Sequence, residues 1–133
     1  IYGVVSDGDM MEGISSEAAS YAGGVSLGNL VYVYLNNHIS IEGSTDITFC
    51  EDVAKRFEAY NWHIEHVTDG NDTEAIDVAL KRAKSDPRPS LIITDTTIGF
   101  GSPNKQGSAS VHGSPLGKEE MQKTKLGNDR KTK

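Results

Sequence analysis

The chain has 133 residues, 36% of them apolar and 24% charged, and carries a formal net charge of -6. That length and balance suit one globular domain with its own core. The acidic excess argues against a nucleic-acid partner, which needs clustered Lys and Arg, and no apolar run approaches the roughly 20 residues that span a bilayer.

Ile1 to Val5 is short, apolar and rich in β-branched residues, which predicts a buried strand ended by Asp7-Gly8. Because it opens on Ile1 inside this run, without a Met, the chain reads as a piece of a longer protein. Glu12 to Val25 predicts a helix with Ile14, Ala18, Tyr21, Ala22 and Val25 on one face. Ser15, Ser16 and Glu17 fall toward its first turns, and Gly23-Gly24 and Gly28-Asn29 break it. Leu30 to Leu35 is the clearest strand, continuous in the manner of one covered on both faces. Asn36 to Asp46 is a polar loop. Thr48 to Glu51 has capping-box spacing ahead of a helix that turns Val53, Phe57 and Tyr60 to one side.

Trp62 to Val67 predicts a shorter strand, with Trp62, Ile64 and Val67 set against His63, Glu65 and His66. Asp69 to Asp72 is a turn that offers an N-cap, and Ile76, Ala79, Leu80 and Ala83 mark an amphipathic helix that ends at Asp86-Pro87. Ser90 to Thr96 is a last apolar strand. Beyond Ile98, glycines and prolines predict a long irregular loop of the kind that carries function. Lys118 onward starts helically, and residues 125–133 read as a disordered tail after a domain over residues 1–124. The order β-α-β-α-β-α-β predicts an α/β fold with a mostly parallel sheet flanked by helices.

Asp7 and Asn37 fall at the carboxyl ends of the first two strands, where open α/β sheets bind ligands. A carboxylate and an amide oxygen there suit a hard divalent cation; on spacing alone they equally suit ordinary turns. Gly8 and the amides opening the Glu12 helix could cradle a phosphate. Glu12 and Glu17 either line one side of that helix start or simply favour its positive end. Of the four histidines, His63 and His66 read as solvated strand residues, while His38 and His112 sit in loops beside candidate ligands. The lone Cys50 cannot pair within the chain and fits a reducing compartment, taken as the cytoplasm, or a plastid if the source is a photosynthetic eukaryote.

Asp7-Gly8-Asp9-Met10-Met11-Glu12-Gly13-Ile14-Ser15, Leu27-Gly28-Asn29-Leu30 and Asn37-His38-Ile39-Ser40-Ile41-Glu42-Gly43 together resemble transketolase. The resemblance continues through Glu51 to Tyr60, Trp62-His63, Ile98 to Lys105 and His112 to Gly117, and covers nearly the whole chain to about Thr124. It implies the diphosphate-side domain of a thiamine diphosphate-dependent enzyme, present as a fragment. The implied metal ligands are Asp7, Asn37 and the main-chain carbonyl of Ile39, holding magnesium or calcium. The implied cofactor contacts are Gly8, Asn37, Ile39, Ile41 beside the thiazolium ring, and His112. His112, Glu12 and Glu17 are the implied catalytic positions, with His112 reaching the sugar substrate and the two glutamates lying near a dimer interface.

The implied reaction moves a two-carbon ketol unit from a ketose phosphate to an aldose phosphate in the pentose phosphate pathway. A second subunit of a homodimer supplies the pyrimidine-binding domain, so the isolated chain is expected to be inactive. Neither nucleic acid nor membrane is an expected partner. The sequence departs from the family at Ser6, where a Gly is usual, at Asn36 for Asp, at Val25-Ser26 for Lys, at Asn61 for Gly, and in Met121 to Asn128. Ser6 places a side chain where the backbone runs close to phosphate. That, together with the missing pyrimidine-binding domain, motivates an alternative reading as a catalytically inactive transketolase-like binding or regulatory module; a generic phosphate-binding α/β domain is a further rival.

Overall fold

A computed structural model describes residues 1–129. Four strands form one sheet in the spatial order β1-β2-β6-β5: β1 (Tyr2–Ser6), β2 (Val31–Asn36), β5 (His63–Val67) and β6 (Ser90–Asp95). All three pairings are parallel, with Tyr2 opposite Val31, Val31 opposite Ser90, and His63 opposite Ser90. The expected alternation therefore gives the expected parallel sheet. Between β1 and β2 run α1 (Asp7–Met11) and α2 (Gly13–Gly24); α3 (Val53–Ala59) precedes β5, and α4 (Thr73–Ser85) joins β5 to β6.

The direction of each step across the sheet decides which face its helix covers. The chain moves one way from β1 to β2 and on to β5, then reverses to place β6 between them. Right-handed crossovers put the reversing helix on the opposite face. The core accordingly has two parts. Met10, Ala19, Ala22, Phe57 and Trp62 pack with Tyr34, Leu91 and Ile93 on one face, and Ala79 and Ala83 of α4 pack with Val31, Val67 and Ile92 on the other. β6 is buried from Ser90 through Thr94, as a continuous apolar strand should be.

The boundary from β5 into α4 was legible. Asp72 caps α4, its carboxylate accepting from the backbone N–H groups of Glu74 and Ala75 at 3.0 and 2.9 Å. Other local readings change. The cap of α3 is Asp52, which accepts from Lys55 N at 3.0 Å; Thr48 instead ends a short 3-10 turn over Thr45–Ile47, so the Thr48-to-Glu51 spacing is not a capping box. In α2 the buried side is Ala19, Ala22 and Gly23, while Ile14 and Tyr21 are exposed. Small residues win there because α2 lies against the backbone at Tyr60, where a Cβ on Gly23 would meet the carbonyl oxygen. Val67 packs on the α4 side, opposite Trp62 and Ile64, because the strand period of two puts it with His63 and Glu65. His63 is half-buried and not solvated, with Nδ1 at 3.2 Å from Ser90 Oγ and Nε2 at 3.3 Å from Glu65.

The loop after β2 contains a small antiparallel hairpin, β3 (Ile39–Ser40) with β4 (Gly43–Ser44). The final helix, α5 (Lys118–Asp129), continues past Lys125, so the start of the segment expected to be irregular is helical; residues 130–133 lie outside the described residues. Asn61 has φ +67, a left-handed conformation in which glycine is easiest and asparagine the next choice, which accounts physically for the departure noted there.

Candidate functional site

Asp7 follows directly on β1 and opens α1, so its side chain stands at the carboxyl edge of the sheet. It is 1% exposed. Tyr34, two residues before the end of β2, donates its hydroxyl to Asp7 Oδ1 at 2.7 Å, and the Asn37 backbone N–H donates to Oδ2 at 3.2 Å. The structure thus brings Asp7 and Asn37 together, as their places at neighbouring strand ends require. Asn37 Oδ1 accepts the Ile39 N–H at 2.9 Å, closing a tight turn that keeps Ile39 beside it at the start of β3. Burial and the Asp7 bond raise the Tyr34 phenol well above its ordinary range, so it stays a neutral donor.

A cavity of about 350 Å³ opens above these strand ends, lined by Asp7, Tyr34, Asn36, His38, His66 and Ile93 and walled by the segment from Asp46 to Ala54. Asn36 Nδ2 donates to Asp95 at the end of β6 at 3.0 Å and lies 3.3 Å from His38 Nε2. Cys50 is exposed on the same wall and unpaired.

Gly8 is next to Asp7, and a Cβ there would meet nothing within 4 Å, which leaves its backbone open. Gly8 lies in the first turn of α1, and the amides that open α2 follow from Gly13. Glu12 links α1 to α2 and Glu17 lies on α2, both exposed. Ile41, at the tip of the hairpin, is 72% exposed. His112 follows a 3-10 turn over Ala109–Val111 and is exposed; among the described residues its ring forms no hydrogen bond with Asp7, Asn37, Glu12 or Glu17.

The Ser6 side chain has a partner within the chain. Its Oγ lies 2.9 Å from Asp9 Oδ2, and its N–H donates to the same oxygen at 2.8 Å. The hydroxyl is drawn into the first turn of α1. Behind that turn, the Arg56 guanidinium donates to Met10 O at 3.2 Å and Ser16 Oγ at 3.1 Å, and its Nε lies 2.9 Å from Glu51. One side chain of α3 therefore fixes the corner between α1 and α2.

The donor set fits a hard divalent cation. Its members are a carboxylate, an amide oxygen and a main-chain carbonyl, and the buried carboxylate has only neutral donors as hydrogen-bond partners. Among the described residues no group of three or more His, Cys, Asp or Glu could hold a metal, so a cation here would depend on amide and backbone oxygens.

Against that geometry, the description "Transketolase, thiamine diphosphate binding domain" matches residues 1–133. The chain belongs to this family. It is 54% identical over 124 residues to transketolase 1 of Aliivibrio fischeri and 52% identical over 125 residues to transketolase of Bacillus subtilis. Each alignment covers 93% of this chain and 19% of the relative, so the chain spans about a fifth of their length. Among solved structures, transketolase from Campylobacter jejuni superposes with a TM-score of 0.92 at 44% identity, over 95% of this chain and 20% of that one. Transketolase from Leishmania mexicana does so at 0.91 and 42%, over 94% and 19%. The fold is that of the transketolase thiamine diphosphate-binding domain.

Sequence reasoning missed four residues of this domain: Tyr34, Asp95, Arg56 and Glu120. Tyr34 left a signal, since a hydroxyl in a strand read as covered on both faces needs a buried partner. Glu120 had none. From the first turns of α5 it reaches back to the loop after β6, accepting from the Asn104 side chain at 2.9 Å, from Ser102 Oγ, and from Asn104 N at 2.8 Å. Those bonds hold its carboxyl well below the usual range, at about 2. A depressed carboxyl stabilises the fold above its ordinary pKa, and the contribution is lost as pH falls toward 2. Glu120→Gln is therefore expected to lower the denaturant midpoint at pH 7, with the deficit shrinking toward zero as unfolding is followed down to about pH 2. A constant deficit across that range would contradict the assignment.

Proposed function

We propose that this chain is the diphosphate-binding part of a transketolase, holding thiamine diphosphate through a magnesium or calcium ion ligated by Asp7, Asn37 and the Ile39 carbonyl. The observation that carries the reading is the buried Asp7 carboxylate joined to Asn37 at the ends of β1 and β2 in a chain of this family. An acidic domain offsets the charge of a diphosphate most directly with a metal. Gly8 would leave room for a diphosphate, and the exposed Ile41 would offer an apolar side chain to the thiazolium ring.

When bound, the cofactor supplies the reactive carbon and electron sink for moving a two-carbon ketol unit from a ketose phosphate to an aldose phosphate. His112, on the long loop, would contact the diphosphate and the sugar substrate. Glu12 and Glu17, exposed around α2, face the second subunit of a homodimer, which completes the site with its pyrimidine-binding domain. The compartment is reducing, cytoplasmic or plastid, in keeping with the unpaired Cys50.

The test is calorimetry with thiamine diphosphate and magnesium. Binding is expected to need the metal, and Asp7→Ala and Asn37→Ala are each expected to weaken it by at least 100-fold, an order-of-magnitude figure for losing one ligand of a hard-cation site. Binding left intact by both substitutions would favour a generic phosphate-binding domain. The 133-residue chain alone is expected to turn over no ketose phosphate. No metal-dependent binding of the cofactor by a folded chain would favour the inactive-module reading.

A further inference from the structure

Asp7 has two carboxylate oxygens and one named donor on each. Asn37 N–H takes Oδ2 from the loop side, and Tyr34 takes Oδ1 from the core side at 2.7 Å. The Tyr34 hydroxyl also lies 3.3 Å from Asn36 Oδ1. One phenol proton cannot serve both, and the shorter contact to a carboxylate is the stronger bond. Tyr34 is 2% exposed and its ring packs in the core cluster with Met10, Phe57 and Ile93, so the hydroxyl is aimed by packing on a central strand. Two donors, one on each oxygen, restrict rotation of the carboxylate, and each oxygen keeps lone-pair capacity for a further partner.

Resting on the functional reading above, we propose that Tyr34 is a positioning residue: its buried hydroxyl sets the rotation of the Asp7 carboxylate and thereby selects a small, octahedral cation over a larger one. Partners that orient a ligating carboxylate contribute strongly to metal affinity. Magnesium demands near-ideal octahedral geometry, whereas calcium accepts variable coordination, including bidentate carboxylate. A carboxylate free to rotate should therefore harm magnesium binding more than calcium binding.

The experiment is titration of wild-type protein, Tyr34→Phe and Tyr32→Phe with magnesium chloride or calcium chloride at fixed thiamine diphosphate, read by calorimetry. The phenylalanine ring preserves core packing at position 34, and circular dichroism verifies the fold of every variant. Tyr32 lies on the same face one step away from the strand end, next to Trp62, and serves as the control for loss of a phenol. Tyr34→Phe is expected to raise the magnesium half-saturation point by about 10- to 100-fold, with a smaller rise for calcium, while Tyr32→Phe leaves both near wild type. Equal losses for the two ions, or no loss, would overturn the inference while leaving the functional reading in place. Wild-type protein with no metal-dependent binding would overturn that reading and this inference with it.

Discussion

Trp62→Ala is expected to lower the unfolding free energy by about 4 kcal/mol, the usual size for emptying a large buried aromatic site. Trp62 is 3% exposed and sits where α2, α3 and the sheet meet. Its ring meets Phe57 edge-on at 5.1 Å and lies 6.2 Å from Tyr32. Its indole N–H donates to the Ala19 carbonyl at 2.8 Å, a buried bond between the strand entry and α2. Alanine removes the packing and leaves that carbonyl short of a donor, and the two losses add. For a domain whose whole stability is roughly 5–15 kcal/mol, this brings the protein close to unfolding at room temperature. Trp62→Phe should recover much of the packing and none of the hydrogen bond. Because Trp62 is the chain's one tryptophan, the measurement must be urea unfolding followed by far-ultraviolet circular dichroism. A loss under about 1 kcal/mol for the alanine variant would contradict its place at the centre of the core.

Gly23→Ala and Gly24→Ala are expected to change stability in opposite directions, although they are neighbours in one helix. Helix propensity alone favours alanine at both by up to about 1 kcal/mol. At Gly23, however, a Cβ would stand 1.6 Å from the Tyr60 carbonyl oxygen and 2.8 Å from its carbon. Those are backbone atoms, held where Tyr60 ends α3, so relief requires the two helices to move apart. That overpacking costs about 3 kcal/mol and overrides propensity. At Gly24 a Cβ would meet nothing within 4 Å, so propensity prevails and a gain of about 0.5–1 kcal/mol is expected. Chemical denaturation of the pair decides the matter, and a Gly23→Ala variant as stable as Gly24→Ala would show that α2 and α3 are not held at this separation.

The same contact explains where sequence periodicity succeeds and where it fails. The strands were legible because β2 and β6 are continuous apolar runs, and their parallel pairing follows from the intervening helices. α2 was legible as a helix, but only Ala22 of its expected inward face is buried. Hydrophobicity pointed also to Ile14, Tyr21 and Val25, whereas the close approach to Tyr60 selects Ala19 and Gly23 beside Ala22. Size decided there, and a single sequence does not display the partner that imposes it.

The site divides in a similar way. Asp7 and Asn37 could be placed side by side from strand order alone. Tyr34, Arg56 and Glu120 act across 27, 46 and 18 residues of sequence in their bonds to Asp7, Met10 and Ser102, and no local pattern encodes such distances. His112 falls on the long loop after β6, fastened by Glu120 at Asn104 and by the Lys105 ammonium at the Leu116 carbonyl, 2.9 Å away. An irregular segment in the sequence is a braced one in the fold.

The strand order has a consequence for how the chain comes into being. β6 lies in the middle of the sheet and pairs with both β2 and β5, yet it is the last of the four strands to be synthesised. Until residues 90–95 emerge, β5 has no partner strand and β2 has only β1. The two halves of the core, one beneath α2 and α3 and the other beneath α4, both wait for the same six residues. A nascent chain that stops short of them has little stable structure to keep. Vectorial synthesis therefore leaves this domain's folding deferred until β6 is available and cooperative from then on, because β6 brings β2 and β5 into one sheet.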